Sequence, residues 1–128
     1  MVFEPGYELT ILPKPGYLHG IVTGVNSREN VAHYLADILR ECTARRCFRL
    51  LIEERLEGPR LRLMDVFQIV ASESAHAAGV LEAVAYVDVN AEGDLMKFAE
   101  TVAANRFVPV MLFSSVSDAE KWIRPAGA

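Results

Sequence analysis

Residues 54–65, ERLEGPRLRLMD, hold the densest set of groups that could do chemistry. Arg55, Arg60 and Arg62 stand among Glu53, Glu54 and Glu57, around the pair Gly58-Pro59. Arginines beside a glycine turn could cradle a phosphate. That chemistry needs backbone amides aimed at the anion, as GxGxxG and GxxxxGK[ST] loops provide. Neither pattern occurs, and Gly58 is followed by a proline that removes an amide donor where one is wanted. A charged turn with locally paired arginines is the simpler reading, and it leaves the stretch as a candidate docking surface.

Other reactive residues do not converge. Ser72, Glu73, Ser74 and His76 lie on adjacent turns of one expected helix. A nucleophile, base and oxyanion hole normally come from different elements, so Glu73 and His76 read as a surface pair. His33 and Asp37, four apart, could give two metal ligands, but no third is in view. Thr23-Gly24 and Ser114-Ser115 stand where a receiver domain would need acids and a lysine. The sequence therefore predicts no enzyme, no catalytic residue, no metal and no cofactor. A conserved-looking pocket that holds a glutamate at 53 or 54 with a raised pKa would be the sign to the contrary.

The whole chain sets bounds on this. At 128 residues it reads as a single domain, 1–128, with enough length to bury one core. The net charge of −4 argues against nucleic acid and against anionic membranes as partners. No apolar run suits a transmembrane helix, and MVFEPGYE lacks the features of a signal peptide, so a cytoplasmic protein is expected. Cys42 and Cys47 read as free thiols, because helical rise alone would part them by about 7.5 Å.

The elements that must position these groups follow from periodicity. Strands are expected at Tyr7–Leu12 and Tyr17–Thr23, joined by the turn Lys14-Pro15-Gly16. A helix begins at Asn26 with Glu29 as capping-box partner, and buries Val31, Leu35, Ile38, Leu39 and Cys42. Phe48–Glu53 reads as a central strand. A second helix spans about 60–78, with Gly79 as its stop. Glu82–Val89 is a strand, Asp94–Arg106 a helix and Pro109–Phe113 the last strand. Ser117 and Glu120 form S-x-x-E at the start of a final helix, packed down by Trp122 and Ile123. The predicted class is α/β, a mixed sheet in the order β-β-α-β-α-β-α-β-α.

In parallel α/β sheets, sites collect at the carboxyl ends of the strands. Here that edge would carry Gly24–Ser27, Arg55–Arg62, Asp88–Gly93 and Ser114–Ser117. Its acids, Glu53, Glu54, Glu57, Asp88, Glu92, Asp94 and Asp118, oppose Arg28, Arg55, Arg60 and Arg62, which again disfavours a phosphate. On the second helix, Leu63, Met64, Phe67, Val70, Ala71 and Ser74 share the core side. Ile69 falls opposite, near Arg62, Asp65, Gln68 and His76, and is expected to be exposed. The candidate partner surface is therefore Arg55, Glu57, Gly58, Pro59, Arg60, Arg62, Asp65 and Ile69.

The element order, the loop that opens the second helix and the ending VMLFSSVSDAEKWI (110–123) resemble the STAS superfamily, nearest its SpoIIAA-like (STAS/SEC14-like) group. Ser117-Asp118-Ala119-Glu120-Lys121-Trp122-Ile123 is similar to the superfamily's closing "eeAl-WL" helix. The resemblance implies a small cytoplasmic regulatory or protein-interaction domain and not an enzyme. Anti-sigma-factor antagonists of that group carry a phosphorylatable Asp-Ser-Gly where this chain reads Gly58-Pro59-Arg60, so no phosphorylation site carries over. The resemblance also implies, as an alternative, a carrier or sensor of a small apolar, lipid-like ligand. It further implies a homodimer, through Ile69 or the edge strand near Tyr7–Leu12.

Overall fold

The computed structural model describes residues 6–58, 65, 68, 69, 72, 79–88, 101 and 109–125. It is an α/β structure with one mixed five-stranded sheet. The strands are β1 (Tyr7–Lys14), β2 (Tyr17–Val25), β3 (Arg49–Glu57), β4 (Ala83–Asp88) and β5 (Val110–Phe113). Two helices are described in full, α1 (Arg28–Arg45) and α2 (Val116–Ile123). The sheet order is β1-β2-β3-β4-β5. β1 runs antiparallel to β2, and the remaining neighbours are parallel.

The hairpin closes because Pro15 fixes φ at the first turn position and Gly16, at φ 82°, takes the second. A Cβ on Gly16 would also lie 2.5 Å from the ring of Pro125, so glycine is required twice over. Ser27 caps α1, its Oγ accepting from the Asn30 amide at 3.1 Å. The cap thus falls one residue after the expected Asn26. Ser115 caps α2, accepting from the Asp118 amide at 3.2 Å, in place of the expected Ser117. In both cases the serine that wins is the last extended residue, where its hydroxyl reaches the amide three residues on.

Strand alternation divides the core in two. On one face Leu18, Val22, Leu50, Ile52, Leu56 and Val84 pack against Val31, Tyr34, Ile38 and Cys42 of α1. On the other, Tyr17, Leu51, Ala83, Ala85 and Val87 pack against Ala119 and Ile123 of α2. Phe113 and Trp122 close that second face, their ring centroids 5.7 Å apart. Tyr34 joins the stripe of α1 that was expected to hold Leu35 and Leu39, which are only partly buried. Cys42 and Cys47 are free, and burial pushes the Cys42 thiol up to about 12.

Two expectations are corrected. β3 does not stop at Glu53; it continues in register with β2 as far as Val25↔Glu57. Its inward row is Leu50, Ile52, Glu54, Leu56, and the glutamate in that row hides the alternation. Ile69 is not exposed. It is 5% accessible and lies in the core with α1. The sheet advances in the same direction from β2 to β3 to β4, so crossovers of one hand fall on one face, and Ile69 meets α1 there.

Of the two further expected helices, Asp65, Gln68, Ile69, Ser72 and Thr101 are helical, and the rest lies outside the described residues. Among the described residues no helix is long and apolar enough to cross a membrane.

Candidate functional site at the carboxyl edge of the sheet

Glu53 and Glu54 follow one another on β3, so their side chains leave opposite faces of the sheet. Both are buried, at 6% and 5% accessibility. A buried carboxyl group needs partners or a proton. The two residues meet that need differently.

Glu54 is held by phenols. Tyr34 from α1 and Tyr86 from β4 both donate to its Oε2, and the two phenol oxygens lie 2.9 Å apart. Tyr34 is fixed from behind by Tyr7, edge-on with centroids 6.4 Å apart. Tyr7 in turn donates to Asp37 of α1. Across the strand pair, Asp88 of β4 is the register partner of Glu54. Burial pushes Glu54 up to about 7. The phenols pull it down, and the charge and hydrogen bonding of Asp88 push it up again. Burial, then the nearby Glu54 charge, holds both tyrosines well above the ordinary phenol range, so they remain donors.

Glu53 is held by bases. His19 Nε2 of β2 lies 2.9 Å from its Oε1, in the interior. Arg55 donates from Nε to its Oε2. The Arg55 side chain is half-exposed, so His19, Glu53 and Arg55 form a polar chain running from the interior to solvent.

The expected surface residues fare unequally. Arg55, Glu57 and Gly58 are exposed and consecutive but for Leu56, which points into the core. The Glu57 carbonyl accepts from the Asn26 amide at 2.7 Å, and Gly58 turns the chain at φ 117°. Asp65 is half-buried on its helical segment. Pro59, Arg60 and Arg62 lie outside the described residues. Ile69, as the core residue it is, leaves the surface. Val25 takes the apolar position at this edge: it is 54% exposed and is the register partner of Glu57.

The remaining chemistry-bearing residues stay apart. Asp37 is engaged by Tyr7 and Arg40, while His33 is exposed beside it. Ser72 is exposed, and Glu73, Ser74 and His76 lie outside the described residues. Among the described residues no three His, Cys, Asp or Glu side chains form a metal-binding group.

Sequence reasoning missed His19, Tyr34, Tyr86 and the pairing of Glu54 with Asp88. One signal was present: Glu54 sits in phase between Ile52 and Leu56, on an inward row. The partners of that carboxyl come from α1 and β4, 20 and 32 residues away. Compared with protein-family models and with curated proteins, the chain matches none.

Proposed function

We propose that this chain is a small regulatory, protein-interaction domain of STAS type, resembling the anti-sigma-factor antagonists but without their Asp-Ser-Gly switch. On this reading the helical residues 65, 68, 69, 72 and 101 belong to the two further helices of the STAS order. The observation that carries the reading is the carboxyl end of β3, whose ladder with β2 runs on past Glu53. Its pairing with β2 continues to Val25↔Glu57. This end presents Arg55, Glu57, Gly58 and Val25 together at the carboxyl edge, where α/β domains place their sites. Both charge signs stand beside an exposed apolar residue, a surface suited to a protein and unsuited to a polyanion. The reading places the protein in the cytoplasm, where its two free thiols would persist.

The test is a double variant, Val25→Asp with Glu57→Lys. Both side chains are exposed, so the fold should survive. Capture of the native partner should be lost relative to the wild type. Equal capture by a folded double variant rejects this surface. Native mass spectrometry of the freshly purified wild type separates the other readings: a co-purifying lipid would favour the apolar carrier, and a doubled mass a homodimer.

A further inference from the structure

We propose that Cys42 and Cys47 form a redox site: a peroxide oxidises Cys47, and Cys42 converts the product into an intramolecular disulfide that ties the end of α1 to the start of β3. The site lies at the amino end of β3, away from the docking surface, and stands whether or not a protein binds there.

The end of α1 brings the two residues together. The helical rise expected to part them stops at Arg45, and Arg46 takes the left-handed conformation at φ 51° and ψ 42°. The chain therefore turns back toward Cys42. The Cys47 amide donates to the Cys42 carbonyl at 3.0 Å, and the Arg46 amide donates to the Thr43 carbonyl at 3.2 Å. That pair of bonds is a Schellman motif, whose first and last residues commonly bring their side chains into contact. Here those two residues are the cysteines. Covalent bond lengths on either side of the 3.0 Å hydrogen bond hold their Cα atoms within about 7 Å. Disulfides form across Cα separations of roughly 4.4–6.8 Å. Cys47 also packs against the core cluster that contains Cys42. Burial, then the nearby Cys47, pushes the Cys42 thiol up.

The surroundings divide the roles. Cys42 is fully buried, whereas Cys47 is half-buried, its Sγ 3.8 Å from the Arg49 carbonyl. Cys47 is thus the thiol that an oxidant reaches, and exposure governs which thiols react. Its sulfur, having lost its proton, attacks one oxygen of the peroxide. The O–O bond breaks, the other oxygen leaves as water with that proton, and Cys47 becomes a sulfenic acid. Cys47 then turns its Sγ from the Arg49 carbonyl toward Cys42. The Cys42 sulfur attacks it, the S–O bond breaks, and the hydroxyl leaves as water with the Cys42 proton. The two thiols give up two hydrogens and two electrons, and one hydrogen peroxide becomes two waters. In a reducing compartment such a disulfide is transient, because thiol exchange opens it again.

The experiment treats the intact, fully reduced chain with hydrogen peroxide and then blocks remaining thiols with N-ethylmaleimide. Trypsin cuts after Arg45 and Arg46, which puts the cysteines on separate peptides, 41–45 and 47–49. In the wild type these peptides should appear joined, lighter by two hydrogens and unblocked, and dithiothreitol should separate them. The oxidised chain should keep its native amide spectrum outside residues 42–49. Cys42→Ala should stop at a Cys47 sulfenic acid that dimedone captures. Cys47→Ser should slow the oxidation of Cys42 by roughly tenfold or more, because its thiol is buried. If Cys42→Ala does not fold, the wild type and Cys47→Ser carry the test alone. The site is overturned if both thiols are still blocked after excess peroxide, or if Cys47 is oxidised or joined to a second chain while Cys42 stays reduced. It is equally overturned if the disulfide forms only with loss of the native amide spectrum.

Discussion

Glu53 and Glu54, adjacent on β3, are buried on opposite faces of one sheet and are stabilised by opposite means. Glu53 meets an imidazole and a guanidinium, while Glu54 meets two phenols and another carboxyl. A single strand thus carries two unlike electrostatic environments, and each makes its own predictions.

For Glu54 the prediction is a pH dependence of stability. Its pKa rises from 4.5 in the ordinary state to about 7 in the folded one. Between those values the folded chain binds more protons than the unfolded chain, so stability falls as pH rises. The contribution is complete below the lower value and is lost as pH passes through the upper one. The span corresponds to roughly 3 kcal/mol. Urea unfolding at a series of pH values should show this decline in the wild type and a flatter profile in Glu54→Gln.

For Glu53 the prediction is coupling. His19→Ala removes one of the two described partners of the buried Glu53 side chain, and should cost roughly 3–5 kcal/mol, as removal of one partner from a buried pair does. Glu53→Ala should cost a similar amount. The double variant should cost clearly less than the sum, by about 1 kcal/mol or more. Chemical denaturation of the four proteins measures the cycle, and strict additivity would show that the pair is not coupled.

Ile69 should behave as a core residue. Ile69→Ala is expected to destabilise the fold by about 2–5 kcal/mol, the range for truncating a buried isoleucine. A surface isoleucine would change stability by less than about 0.5 kcal/mol. Thermal unfolding distinguishes the two outcomes.

The caps can be told apart in the same way. Ser27→Ala and Ser115→Ala should each cost about 1 kcal/mol, because each removes the acceptor of a helix-end amide. Ser117→Ala, on an exposed residue inside α2, should cost no more than a few tenths of that.

The sequence by itself determined the layout. The alternation of Tyr17–Val22, the apolar stripe of Val31, Ile38 and Cys42 and the Pro15-Gly16 turn are local patterns, and the residues themselves carry their physics. They sufficed for the mixed sheet, the hairpin, the first and last helices and the exposed Arg55, Glu57 and Gly58. The tertiary structure decided everything that depends on partners distant in the chain. Whether Ile69 is surface or core depends on which sheet face its segment crosses, and helical periodicity does not contain that fact. Glu54 looked like part of a charged turn because its neighbours in sequence are charged. It became a buried acid only when β2 extended β3 past it, α1 brought Tyr34 over it, and β4 set Tyr86 and Asp88 beside it. The environment of a carboxyl group is set by distance in space, and a single sequence gives distance only along the chain.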